Sequence, residues 1–261
     1  MKSAFTRRTF CAATLALTSA GSHAQVSNLG DAINKAGRQR MLSQRMGKAW
    51  MSLGQGIEVE SARRVLDQSM ALFDRQLTEL KAFAPAGDTR DTYLQLEAAW
   101  SGYKTLLVGA APAQNQGKPL LDQGGKVLAL AHKGTALYEQ QSGKSGARLV
   151  NVAGRQRMLS QRMAQFYLAS AWNVDSVVSQ REMTKARDEF IPALELLRNA
   201  PEATPEIKQA LALADGQWQF VDNALKARVT GVKAASDVFV TSENLLQVMD
   251  RVTSLYARIL G

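Results

Sequence analysis

The decapeptide Gly37-Arg38-Gln39-Arg40-Met41-Leu42-Ser43-Gln44-Arg45-Met46 recurs unchanged at Gly154–Met163. These two copies, which we call the boxes, lie 117 residues apart, about half of the chain that follows residue 24. An identity of this length does not recur by chance, so the chain contains two related units. Helix packing requires only apolar periodicity and would not keep the same arginines, serine and glutamines in both copies. The boxes therefore direct the search for function.

Apolar residues recur at helical spacing along nearly the whole chain, without the alternating runs that are typical of strands. We therefore predict an all-α fold of two tandem four-helix up-down bundle units related by internal duplication. The expected helices cover roughly 28–56, 59–84, 88–109, 118–142, 145–173, 176–199, 204–229 and 232–260. Corresponding apolar residues outside the boxes, at an offset of 117 and then 118, are Phe73 and Phe190, Leu80 and Leu197, Trp100 and Trp218, Leu128 and Leu246, and Tyr138 and Tyr256.

Residues 1–24 have the features of an export signal: a basic start with Lys2, Arg7 and Arg8, an apolar stretch and a small-residue cleavage pattern ending at Ala24. The Arg7-Arg8 pair resembles a twin-arginine motif; the alternative is a general secretory signal with two adjacent arginines. Either route predicts a periplasmic protein. The predicted organisation is a signal peptide at 1–24, a first unit at 25–142 and a second unit at 143–261.

The composition after residue 24 argues against an enzyme. The single cysteine, Cys11, lies in the signal, and His132 is the one histidine that remains. We expect His132 to be a surface or packing residue, and we expect no cofactor and no metal because no Cys or His cluster has ligand spacing. No later apolar run approaches the ~18 residues of a membrane span, so we expect a soluble mature protein.

The net charge indicates the kind of partner. Loss of the signal removes three cations and no acid, which lowers the formal net charge from +9 to +6. In an exported protein this excess argues against nucleic acid and for a small anion, an anionic surface or an acidic protein.

Wound on a helix, each box has two faces. One face, which includes Leu42 and Met46, is expected to pack in the core of its own unit. The opposite face is a stripe of small and apolar residues with one arginine at its centre, Arg40 in the first box and Arg157 in the second. Small residues permit the close approach of another helix, so we expect the two box helices to meet across a pseudo-two-fold axis.

Acidic residues are absent around both boxes, from residue 32 to 57 and from 140 to 174. We therefore expect Arg40 and Arg157 to face each other without a carboxylate. Two such charges about 5 Å apart repel by roughly 3 kcal/mol at an effective dielectric of 20. One small anion between them would reverse the sign, since each guanidinium offers a planar fork of donors. The sequence thus predicts an anion receptor with Arg40 and Arg157 as primary ligands.

Other polar residues of the boxes have two open interpretations. Arg38 and Arg155 are expected to contact neighbouring helices or carbonyls. The remaining residues either assist anion binding or satisfy neighbouring helices, the backbone and water. These secondary candidates are Ser43, Gln44, Arg45, Ser160, Gln161 and Arg162.

The stretch from Asn34 to Met46 resembles the first-helix box of nitrate/nitrite sensor kinases. It is more similar still to the N-terminal sensor domain of type IV pilus methyl-accepting chemotaxis transducers. Both families use a periplasmic helical bundle, and in the nitrate sensors one box arginine from each subunit binds the anion at the dimer interface. The resemblance assigns that role to Arg40 and Arg157, and the second family arginine to Arg45 and Arg162.

Two departures from these families leave the ligand open. The receptors continue into membrane spans and a signalling module, whereas this sequence stops at Gly261. In addition, Gly37 is followed by Arg-Gln, where the box of the nitrate sensors has a shorter polar-apolar pair. The leading hypothesis is a soluble exported sensor that captures a small oxyanion such as nitrate or nitrite and signals to a membrane-bound or periplasmic partner. The alternative is a non-enzymatic envelope or pilus protein whose basic helices dock an acidic partner. A homodimer, with the units pairing between chains, is a further option.

Overall fold

The computed structural model describes residues 25–226 and 231–260. The expected signal peptide at 1–24 lies outside these residues. The described part folds into α1 (Leu29–Gly54), α2 (Val59–Phe83), α3 (Asp88–Val108), α4 (Gln114–Ser142), α5 (Ser145–Ala171), α6 (Ser176–Arg198), α7 (Pro205–Lys226) and α8 (Val232–Leu260). The all-α prediction is confirmed, and most helix bounds agree with the periodicity to within a few residues.

Each half of the chain forms the same four-helix arrangement. In the first half α1 packs on α2 and α4, while α3 packs on α4; in the second half α5 packs on α6 and α8, while α7 packs on α8. The hydroxyl of Tyr138 donates to the carbonyl of Leu80 at 3.0 Å, and that of Tyr256 donates to the carbonyl of Leu197 at 2.8 Å. Equivalent residues thus make equivalent bonds, as the duplication predicted.

The turn after each box helix is also repeated in its backbone. Ile57 N–H donates to the carbonyl of Ser52 at 2.9 Å, and Val174 N–H donates to that of Ala169 at 2.8 Å. The next residues, Glu58 and Asp175, both adopt the left-handed conformation with φ of 48° and 45°. Because these bonds satisfy carbonyls at the helix end, the two box helices end at equivalent residues, Gly54 and Ala171.

The two halves join along α1 and α5, which lie at the centre of the molecule. A Cβ placed on Gly37 would lie 3.8 Å from the Cα of Gly154, and one placed on Gly47 would lie 2.7 Å from Oε1 of Gln165. Because positions further along α1 meet positions further along α5, the helices run parallel. The predicted meeting of the box helices is confirmed, and it takes place within one chain.

The start of α4 differs from the prediction. A loop was expected up to residue 117, but the helix begins at Gln114. The Gln114 side chain donates to the carbonyl of Trp172 at 2.5 Å, and Gly117 packs against Val174. Contacts with the end of α5 therefore extend the helix, and such contacts cannot be read from local periodicity. Among the described helices, none combines the length and the apolar character that crossing a bilayer requires.

Candidate functional site

The central arginines of the two boxes converge where α1 and α5 cross. Arg40 and Arg157 are fully buried. Nη2 of Arg40 donates to the carbonyl of Asn151 on α5 at 3.2 Å, and Nη2 of Arg157 donates to that of Asn34 on α1 at 3.0 Å. A Cβ at Gly37 would lie 3.2 Å and 3.4 Å from these two Nη2 atoms, so the glycine provides the space in which both guanidiniums fit.

Burial lowers the pKa of Arg40, and the guanidiniums of Arg155 and Arg157 lower it further. Burial also lowers the pKa of Arg157, where Asp250 acts in the opposite direction. Guanidinium groups remain charged at neutral pH despite such shifts. Two cations therefore occupy the interior at the crossing, and each needs a compensating partner.

Arg157 has a carboxylate partner. Oδ1 of Asp250 on α8 lies 2.5 Å from Nη1 of Arg157 and 2.9 Å from Nη2 of Arg38. Burial alone would raise the pKa of Asp250, but Arg157 and Arg38 outweigh it and hold the pKa at about 2. The expectation that Arg157 lacks a carboxylate is therefore wrong.

Most other cations of the box helices are paired as well. Glu243 on α8 binds Arg45 at 2.5 Å and Lys48 at 2.6 Å. On α6, Glu182 binds Arg162 at 2.7 Å and Glu189 binds Arg155 at 2.5 Å. The acid-free stretches in the sequence are real, but α6 and α8 supply carboxylates from distant positions, as expected for interhelical contacts.

Arg40 is different. No carboxylate of the described residues lies within 4.0 Å of its guanidinium; instead its Nη1 lies 3.2 Å from Nδ1 of His132 on α4. Its Nε is buried without a hydrogen-bond partner, as is that of Arg157. The exposed His132 side chain thus contacts a buried cation, and its neutral imidazole accepts a hydrogen bond from the Arg40 guanidinium. Partial burial lowers the pKa of His132, and Arg40 and Arg155 lower it further.

A cavity of about 300 Å³ opens between α4, α5 and α6, with Arg40 among its lining residues. The lining combines four cations with two carboxylates and an apolar wall. Because His132 is neutral as an acceptor, the charged residues leave a positive excess that Arg40 and Lys185 carry. The cavity is lined by Arg40, Gly125, Leu128, Ala129, His132, Arg155, Met158, Leu159, Arg162, Glu182, Lys185, Ala186 and Glu189.

The secondary candidates lie near this crossing. Ser43 and Ser160 donate to the carbonyls of Arg40 and Arg157, each at 2.8 Å. Such bonds to the helix's own backbone keep both hydroxyls on their own helix.

The two box glutamines make different contacts. Gln44 accepts from Arg162 at 2.9 Å, whereas Gln161 donates to the carbonyl of Ser242 at 2.9 Å. The structure thus brings Arg40 and Arg162 to the cavity, with Gln44 behind Arg162, while Arg45 and Arg157 bind the carboxylates of α8.

Sequence reasoning missed three residues of this region: His132, Glu243 and Asp250. At the offset of 118 that pairs Leu128 with Leu246, His132 corresponds to Asp250. This comparison of α4 with α8 was the available signal. Within the described residues, no three or more His, Cys, Asp or Glu side chains are grouped so that they would hold a metal ion.

Comparison with known proteins agrees with the repeat. The sequence profile of the family described as type IV pili methyl-accepting chemotaxis transducer N-term (PilJ) matches the chain twice, over residues 23–124 and 139–253. Each match includes one box, so the predicted resemblance to the pilus transducer domain is confirmed in two copies. No curated protein and no solved structure matches the chain.

Proposed function

The chain belongs to the family of type IV pili methyl-accepting chemotaxis transducer N-terminal domains, and we propose that it is an exported periplasmic sensor that captures a small anion at Arg40. In this proposal residues 1–24 are a cleaved signal peptide, and residues 25–142 and 143–261 are the two units. The anion site is the cavity between the two units, to which the first unit contributes Arg40 and His132 and the second contributes Arg155 and Arg162. A change at the crossing of α1 and α5 passes the bound state to a membrane-bound or periplasmic partner.

The observation that carries the proposal is the state of Arg40: a fully buried guanidinium whose exposed neighbour is a neutral histidine ring. A buried cation without a counter-ion is destabilising. An anion in the cavity would supply the missing charge, and each charge-assisted hydrogen bond contributes about 1.5–3 kcal/mol net.

The proposed roles of the other site residues follow from their distances and charges. Arg40 is the primary ligand, and Arg157 adds positive potential across the crossing. Arg162 lines one side of the site, and Gln44 positions it by accepting its hydrogen bond at 2.9 Å. Ser43 and Ser160 bond to the backbone of their own box helices, and Gln161 and Arg45 tie the box helices to α8.

The ligand is proposed to be an oxyanion, since a planar guanidinium matches oxygen atoms that share a negative charge. Nitrate and nitrite are the first candidates because the boxes resemble that of the nitrate/nitrite sensor kinases. The cavity of about 300 Å³ lies at the lower end of the range for small-molecule sites, so small organic carboxylates belong among the anions to be tested.

The alternative, in which basic box helices dock an acidic partner, has less support. Docking needs an accessible basic face, whereas α1 and α5 are central and Arg40, Lys48 and Arg157 are fully buried. The net positive charge remains compatible with an acidic signalling partner elsewhere on the surface.

Isothermal titration calorimetry with nitrate, nitrite, sulfate, chloride and acetate tests the proposal. We expect one of these anions to bind the wild-type chain, Arg40→Ala to abolish binding, and Arg148→Ala to retain it. Arg148 is a matched control because it is an exposed arginine on α5. Absence of heat for every anion, or equal binding by Arg40→Ala, would refute the proposal. Circular dichroism of each variant verifies folding.

A further inference from the structure

Helices α4 and α8 are counterparts in the duplication, yet they present different chemistry to the boxes. Their register is fixed by Tyr138 and Tyr256, whose hydroxyls bind the equivalent carbonyls of Leu80 and Leu197. At the two positions that face box arginines, α4 carries Gly125 and His132, whereas α8 carries Glu243 and Asp250.

Asp250 binds as an oxyanion would. One of its oxygens lies between two guanidiniums from different helices, 2.5 Å from Arg157 on α5 and 2.9 Å from Arg38 on α1. The equivalent position in the first half lies between Arg40 on α1 and Arg155 on α5. There the residue is His132, which brings a neutral ring and no charge.

Glu243, which lies two helical turns before Asp250 on α8, acts in the same way. It accepts from Nε and Nη2 of Arg45 and binds Nζ of Lys48, which is fully buried. In the first half the corresponding residue is Gly125, whose missing side chain leaves the space that forms part of the cavity. The cavity thus coincides with the two positions at which α4 lacks the carboxylates of α8.

We infer that Asp250 and Glu243 are built-in counter-anions: they place the chain's own carboxylates where the first half has a neutral ring and a glycine. The second half therefore holds its anion permanently, and the chain offers one site for a free anion rather than two. The number of free sites rests on the proposed function, whereas the role of the two carboxylates does not.

Chemical rescue tests the role of Asp250. We expect Asp250→Ala to melt about 5 °C below wild type, since it leaves Arg157 buried without its partner. Sodium formate, a free carboxylate, should restore most of that loss relative to sodium chloride of equal ionic strength. The matched control is Asp237→Ala on the same helix. In the described part of the chain Asp237 pairs with the exposed Lys233, whereas Asp250 pairs with the fully buried Arg157.

The outcomes of the rescue experiment separate clearly. Formate should raise the melting temperature of Asp250→Ala more than that of wild type or Asp237→Ala. An equal response of all three proteins, or an Asp250→Ala variant as stable as wild type, overturns the counter-anion role. Neither result depends on whether the wild-type chain binds an anion.

An exchange of residues between the halves tests the number of sites. The double variant Glu243→Gly with Asp250→His copies α4 onto α8, and calorimetry with the anion that wild type binds should change from one site per chain to two. A folded double variant that still binds one anion overturns the single-site inference. If the wild-type chain binds no anion, the proposed function fails, and the formate experiment still decides the role of Asp250.

Discussion

Nη1 of Arg40 lies 3.2 Å from Nδ1 of His132, so a buried cation is bonded to an exposed ring that accepts only while that nitrogen is unprotonated. Protonation of His132 would turn this contact into a repulsion. Arg155 on α5 adds to the repulsion, while Glu139 on α4 and Glu189 on α6 oppose it. Partial burial lowers the pKa of His132, the two arginines lower it further, and any anion that enters the cavity should raise it.

The first prediction is that anion affinity increases as the pH falls. An anion near Arg40 favours the charged form of His132, so by linkage protonation favours the anion. The pKa of His132 in the free chain lies below its ordinary value of 6.5, so the increase should begin near the higher pKa of the anion-bound form and level off below the pKa of the free chain. Calorimetry at several pH values measures it. His132→Gln should remove the dependence; a variant that keeps it would assign the effect to another group.

The second prediction concerns acid stability. Burial would raise the pKa of Glu243, but Lys48 and Arg45 outweigh it and hold the pKa at about 2, below the ordinary 4.5. A carboxylate whose pKa is lower in the folded than in the unfolded state stabilises the fold at any pH above its unfolded-state pKa. This stabilisation is lost as the pH falls through the folded-state pKa. Glu243→Gln should therefore lower the free energy of unfolding by about 3 kcal/mol at pH 7.

Urea unfolding at pH 7, 4 and 2.5 measures this difference between Glu243→Gln and wild type. It should shrink progressively between about pH 5 and 2. The control is Glu97→Gln, because the Glu97 side chain is 51% exposed in its pair with Lys81 and such surface pairs contribute little. A difference for Glu243→Gln that is constant with pH would show that the carboxylate charge is not the cause.

The helices and the crossing could be predicted because both depend on local pattern. Periodicity gave the all-α fold, and the small-residue stripe around Gly37 predicted the close approach of α1 and α5. The charge partners could not be predicted in this way, because Glu243 and Asp250 lie some 200 residues from Arg45 and Arg38 in sequence. Only the comparison of His132 with Asp250 at the repeat offset would have revealed that the two halves differ.

The third prediction tests the packing of the crossing. A Cβ on Gly47 would lie 2.7 Å from Oε1 of Gln165 and 3.0 Å from the hydroxyl of Tyr103. Tyr103 is held by its bond to the carbonyl of Ser43 at 3.0 Å, so it cannot move away freely. Gly47→Ala should destabilise the protein by about 1–3 kcal/mol.

The control for Gly47→Ala is Gly216→Ala in α7, where a Cβ meets nothing within 4 Å. Alanine has the higher helix propensity, so this change should stabilise the protein by about 0.5–1 kcal/mol. Thermal or urea unfolding measures both variants. Opposite signs are expected, and a stabilising Gly47→Ala would mean that α1 and α5 are more loosely packed at this point.

The fourth prediction is a gain of affinity. Glu189 on α6 binds Arg155 at 2.5 Å on the wall of the cavity, where its negative charge should repel an anion that enters to bind Arg40. Glu189→Gln removes that charge and keeps the shape of the side chain. Affinity should rise about fivefold, roughly the 1 kcal/mol that a partly screened charge contributes over this distance. Glu195→Gln, an exposed change on the same helix, should leave affinity unchanged. Calorimetry at two salt concentrations measures both variants, and the gain should be smaller at the higher one.

If Glu189→Gln instead weakened binding, the carboxylate would be holding Arg155 in the orientation that the anion needs, and α6 would belong to the site as a support rather than as a competitor.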